Sequence, residues 1–149
     1  MLKEWSLLSA EARQEERFQQ WLSPREVEFV SPDAGRLYSE RVNRFIDVIQ
    51  LKEPGRVPVL LPAGFFPTFW YGTTPQAVMY DYDLLRKAWS KYVQDFDMDA
   101  YSGPGTACPG RVFELLDYTL YRWPGHGTAA EGCYQCIEGE YMQAMNMTP

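Results

Sequence analysis

Apolar positions recur at three- and four-residue steps in several stretches of the chain, and short apolar runs separate them. Near the start, Leu8, Ala12 and Trp21 alternate with Glu11, Arg13, Glu15, Glu16 and Arg17. That pattern predicts an amphipathic helix, with Ser9 as its N-cap and Pro24 as its stop. Residues 1–30 are therefore expected to form a helical extension, and residues 31–149 the main body. Tyr38, Val42, Phe45, Ile46 and Ile49 lay one apolar stripe on a second helix over 32–52, which Pro54-Gly55 ends. The run Arg56-Val57-Pro58-Val59-Leu60-Leu61 predicts a strand buried on both faces. Residues 62–72 read as an aromatic loop, and Thr74-Pro75 as a helix start. Leu85, Ala88, Trp89, Tyr92 and Phe96 form the inner face of a helix over 83–96.

The remainder continues the alternation. A short strand is expected at 99–102, a helix at 110–117, an extended piece at 119–121, a turn at 123–127 and a strand at 134–138. Strands alternating with helices predict an α/β chain built of βαβ units around a parallel sheet. In such folds chemistry gathers at the carboxyl ends of the strands. The segments 62–72, 103–109 and 123–127 are the ones to search.

Composition narrows the function classes. The chain has 149 residues, 46% hydrophobic and 23% charged, which suits one globular domain and excludes wholesale disorder. Aromatics reach 15%, enough for an aromatic-lined pocket. A net charge of −6 without a basic run excludes nucleic acid and anionic membrane surfaces as expected partners. The apolar run from Val57 to Trp70 is broken by Pro58, Pro62, Gly64 and Pro67, so it predicts no membrane span. Met1-Leu2-Lys3-Glu4-Trp5 lacks an apolar core, so no secretory signal is expected. Three cysteines give no disulfide framework, and the expected compartment is the reducing cytoplasm.

Candidate chemistry is sparse. His126 is the only histidine and lies between two glycines; it reads either as a proton shuttle or as a loop residue without a task. Glu138 and Glu140 follow a predicted strand and are catalytic candidates beside it. Cys133-Tyr134-Gln135-Cys136 is a lone CxxC. With no second pair it lacks the four ligands of a structural zinc site, so it reads as buried or incidental cysteines, with metal or redox chemistry as alternatives, and no metal is assigned to it. Asp95, Asp97 and Asp99 read as solvated or capping carboxylates. Phe65, Phe66, Phe69, Trp70 and Tyr71 either line a pocket or pack across its mouth.

The segments Glu40-Arg41-Val42-Asn43-Arg44-Phe45 and Leu51-Lys52-Glu53-Pro54-Gly55-Arg56-Val57-Pro58-Val59 carry a resemblance. So do Ala63-Gly64, Asp97-Met98-Asp99-Ala100, Tyr121-Arg122-Trp123-Pro124-Gly125-His126-Gly127 and Glu138-Gly139-Glu140-Tyr141-Met142. In order and separation, over about residues 36–142, they resemble the uroporphyrinogen decarboxylase superfamily, in its decarboxylase-like and corrinoid methyltransferase-like branch. The resemblance implies a (β/α)8 barrel, a fold that needs roughly 250 residues. The chain is thus expected to be the N-terminal portion of such a barrel, preceded by one or two helices and inactive alone.

The resemblance also separates two activities. Decarboxylases place two arginines after the first barrel strand; aligned on Ala63-Gly64, those positions here are Leu61 and Phe65. Their catalytic aspartate falls at about Thr106, which joins the aromatic residues as a substrate-binding candidate. The resemblance therefore points to corrinoid-dependent methyl transfer, with a small molecule or a corrinoid protein as substrate. In thiol-methylating relatives zinc binds a His-x-Cys pair and a later Cys of the second half-barrel, beyond this segment, so zinc and a corrinoid are implied only for the whole protein. A true decarboxylase and a non-catalytic binding module stand as alternatives.

Overall fold

The structure is a computed structural model and describes residues 5–139. It is mixed α and β, with six helices and five short strands among the described residues. The chain divides into two compact units. One holds the residues up to Leu60 with Met98–Ala100; the other holds Leu61–Asp97 and the residues from Tyr101 on.

In the first unit, helix α1 spans Ala10–Leu22 and α2 spans Pro32–Ile49. Ser9 and Ser31 cap them, each accepting the N–H three residues on, and Pro32 sits in the first turn of α2. Phe18 of α1 is buried with Val42 and Ile46 of α2, and Leu22 and Tyr38 pack around them. The Tyr38 hydroxyl donates to the Trp21 carbonyl at 2.7 Å. Helix α2 stops short of the expected 52. Leu51 turns left-handed with φ 58, the Leu51 N–H donates to Val48, and the Lys52 N–H donates to Asp47 at 2.8 Å. That pair of bonds satisfies the last carbonyls of the helix.

The strand expected over 56–61 is much shorter: β1 is Leu60–Leu61, and both residues are 52% exposed instead of buried. Pro58 has no N–H to give, and both polar backbone groups of Val59 are bonded to Asp99 rather than to a ladder. Strand β2 is Ala100–Tyr101, and β1 and β2 form a two-stranded sheet.

The second unit carries helices α3 (Phe66–Tyr71), α4 (Pro75–Tyr80), α5 (Tyr82–Asp95) and α6 (Gly110–Leu115). The expected aromatic loop is therefore partly a helix. Pro67 in the first turn and left-handed Gly72 (φ 84) after the last are the features that permit it. Strands β3 (Tyr121–Pro124), β4 (Gly127–Thr128) and β5 (Gln135–Cys136) form a sheet of order β4-β3-β5. β3 pairs parallel with β4 but antiparallel with β5, so this sheet is mixed where a parallel one was expected. The core gathers Phe65, Val78, Met79, Ala88, Trp89, Ala107 and Trp123. Among the described residues no helix is long and apolar enough to cross a membrane.

Candidate functional site

Two of the three segments picked from the strand ends, 62–72 and 123–127, are linked in the second unit by a chain of rings, and the third, 103–109, by hydrogen bonds to it. Phe65 lies 5.6 Å from Tyr134, Tyr134 6.2 Å from Phe113, Phe113 5.3 Å from Trp123, and Trp123 4.7 Å from His126. Tyr134 is the hub. Its hydroxyl donates to the Thr106 carbonyl at 2.7 Å and accepts the Cys108 N–H at 3.2 Å. Burial pushes its phenol well above the ordinary range. Thr106, taken as a substrate contact, supplies its carbonyl to this hub and is itself exposed.

His126 occupies the tip between β3 and β4. Its N–H donates to Trp123 at 2.7 Å and its carbonyl accepts the Trp123 N–H at 3.0 Å, so the tip is tight. The imidazole stacks on Trp123 with 11° between planes. Nε2 lies 3.1 Å from Glu114 Oε1 on α6, and Nδ1 3.3 Å from the Tyr80 hydroxyl at the end of α4. Tyr80 donates to the same Glu114 oxygen at 2.7 Å. Burial raises the Tyr80 phenol, with Glu114 adding to the effect and the Trp123 contact opposing it. A glycine makes the cluster possible: a Cβ on Gly110 would lie 2.4 Å from the Tyr80 ring. His126 keeps 41% of its side chain exposed, so the ring can meet a small molecule at its open edge.

The carboxylate beside His126 is thus Glu114, which the sequence did not single out. Glu138 is exposed past β5, and Glu140 lies outside the described residues. Cys108, Cys133 and Cys136 are free thiols, the last two exposed. Among the described residues no three His, Cys, Asp or Glu side chains converge as metal ligands, so the CxxC and His126 do not form one site.

The five aromatic candidates do not share a lining. Phe65 is 5% exposed and belongs to the core, whereas Phe66, Phe69, Trp70 and Tyr71 are between a third and a half exposed on α3. Phe66 and Trp70 stack at 6.1 Å, one helical turn apart, and Trp70 meets Phe96 at 5.1 Å. The Trp70 indole donates to Asp95 at 2.7 Å, and Lys91 pairs with the same oxygen at 2.6 Å. Both bonds, Lys91 first, hold Asp95 below the usual carboxylate range. Asp95 is exposed, as the solvated reading expected, and it also clamps the aromatic face.

In the first unit Asp99 overturns the solvated reading. Its side chain has no exposed surface. It accepts from Arg44, from Arg56 at 2.8 Å and from the Val59 N–H at 2.8 Å. Burial alone would raise its carboxyl; the Val59 N–H, Arg44 and Arg56 outweigh it and hold the group ionised below its ordinary value. The signal in the sequence was its place between apolar Met98 and Ala100 at a strand start, where a solvated aspartate is out of character.

No protein-family model, curated protein or solved structure matches the chain.

Proposed function

We propose that the chain is the amino-terminal portion of a uroporphyrinogen-decarboxylase-like (β/α)8 barrel that serves corrinoid-dependent methyl transfer rather than porphyrin decarboxylation. The carrying observation is the pair Leu61 and Phe65. They stand where the decarboxylases present arginines, and Phe65 is packed into the core against Tyr134. A substrate with eight carboxylates needs guanidinium groups free to pair bidentately. The two arginines at the strand entry, Arg44 and Arg56, are spent on Asp99. What these segments offer a ligand instead is aromatic: the exposed face of α3 and the open edge of His126 stacked on buried Trp123.

A second feature supports the family. The segments that carry the resemblance, around Arg44, Arg56 and Asp99, meet on one buried carboxylate, as a helix feeding a first strand beside a second one requires. Zinc and a corrinoid belong to the reading of the whole protein, and no step is assigned to them on these residues.

The test uses the natural protein that carries this segment. It is incubated with methylcobalamin and a simple thiol, with loss of the methylcobalamin spectrum as the readout, and in parallel with uroporphyrinogen. Methyl loss dependent on protein and thiol, without decarboxylated porphyrinogen, is the expected result. Decarboxylation without methyl loss overturns the proposal, and binding of cobalamin with neither reaction favours a non-catalytic binding module.

A further inference from the structure

Tyr80, Glu114 and His126 make more polar contacts than a neutral imidazole has protons for. The Tyr80 hydroxyl owns one proton, and it goes to Glu114 Oε1 at 2.7 Å. The phenol oxygen is then an acceptor, with the Trp123 indole N–H at 3.5 Å and His126 Nδ1 at 3.3 Å. The hydrogen-bond network thus assigns the ring proton of a neutral His126 to Nδ1. Nε2 is left with a bare lone pair, 3.1 Å from Glu114 Oε1, which also carries only lone pairs. Two such atoms face each other favourably across a cation. A proton on Nε2 is one such cation, but three features favour a metal ion. Bonds of about 2.1 Å from one ion to both atoms close an angle of about 95° at that separation, an ordinary bite for two neighbouring ligands. The Tyr80 hydroxyl holds both Nδ1 and the carboxylate, which is the outer-shell support that metal ligands have. The side chains of His126 and Glu114 are 41% and 44% exposed, so an ion can enter from solvent.

We propose that His126 Nε2 and the Glu114 carboxylate chelate a borderline divalent metal ion, of the class that takes imidazole and carboxylate together, such as Ni2+ or Zn2+. Among the described residues no third His, Cys, Asp or Glu side chain joins the pair, so water or a bound small molecule fills the other positions. The site is independent of the activity proposed above, whose zinc belongs to residues beyond this segment.

The probe is Ni2+, added to the full chain without a histidine tag and followed by proton NMR at the His126 ring. His126 is the only histidine, so its ring-proton signals stand alone. Ni2+ is paramagnetic and is expected to broaden both signals saturably, at one equivalent. Glu114→Gln keeps the size of the side chain and an oxygen for Tyr80 to bond. It is expected to weaken Ni2+ at least about tenfold with the circular dichroism unchanged, since even an outer-shell partner is worth that much. Cys133→Ser with Cys136→Ser removes the two exposed thiols and is expected to leave the broadening as it is in the wild type. Broadening that fails to saturate by millimolar Ni2+ overturns the proposal, as does equal affinity in the wild type and Glu114→Gln. Loss of the broadening in the double serine variant gives the metal to the thiols and overturns it too.

Discussion

Val59 and Asp99, forty residues apart, are bonded in both directions: the Val59 N–H donates to Asp99 Oδ2 at 2.8 Å, and the Asp99 N–H donates to the Val59 carbonyl at 3.0 Å. The reciprocal pair fixes the register at which the two chain segments meet. Arg44 and Arg56 then neutralise the carboxylate. Because the anion has no exposed surface, its removal strands two cations and a backbone donor.

Asp99→Asn is accordingly expected to cost about 3 kcal/mol, the lower end for a broken buried ion pair, because both arginines keep some contact with water. Arg44, 23% exposed, is expected to matter more than Arg56, 38% exposed. Urea unfolding of the three single variants measures both statements. Equal, sub-kilocalorie effects at all three sites contradict the buried network.

The same group sets an acid limit. The folded-state pKa of Asp99 is depressed, so its stabilising contribution is complete above the unfolded-chain value of about 3.9. It fades as pH falls through the folded value. Unfolding midpoints taken from pH 6 downward are expected to fall steeply below about pH 4 in the wild type and more gently in Asp99→Asn.

Leu51 offers the opposite sign. It holds φ 58 at the end of α2, with 95% of its surface exposed. Its side chain therefore contributes almost no burial, while its Cβ is strained in the left-handed region. Leu51→Gly is expected to stabilise the protein by about 1 kcal/mol, visible as a raised thermal midpoint. A lowered midpoint refutes the strain assigned to that residue.

Local signals in the sequence were reliable where they were chemical. Ser9 and Thr74 cap helices where they were expected, and Ala88, Trp89 and Tyr92 of the α5 stripe are buried. The failures are long-range. Nothing within 56–61 tells that Val59 bonds Asp99, so the predicted strand was too long and too buried. Pairing direction depends on which strands meet, and the antiparallel match of Tyr121 with Cys136 is invisible in either segment alone. His126 stood out as the only histidine, but its partners Tyr80 and Glu114 lie 46 and 12 positions away on two helices, and no spacing rule links them.

The cluster around His126 depends on the absence of a Cβ at Gly110. A methyl group there meets the Tyr80 ring at 2.4 Å, and the ring is held by its bond to Glu114 and by the core around it. Gly110→Ala is expected to displace Tyr80, cost about 1–3 kcal/mol and loosen His126. Ring-proton NMR contacts between His126 and Tyr80, compared between wild type and variant, detect the displacement. Contacts between the two rings that stay unchanged in the variant refute the displacement.

Tyr134→Phe isolates the hub of the ring chain. The substitution keeps the aromatic contacts with Phe65 and Phe113 and deletes one oxygen. That oxygen serves the Thr106 carbonyl and the Cys108 N–H at once, so both backbone groups lose a partner inside a half-buried site. An unmet buried backbone group costs about 1–3 kcal/mol, and Gly105–Cys108 remains close enough to solvent to recover part of it. The expected destabilisation is therefore about 2 kcal/mol, with faster amide hydrogen exchange at Cys108. If the amide of Cys108 keeps its protection in the variant, its donor has another acceptor and the hydroxyl is not what ties the 103–109 loop to β5.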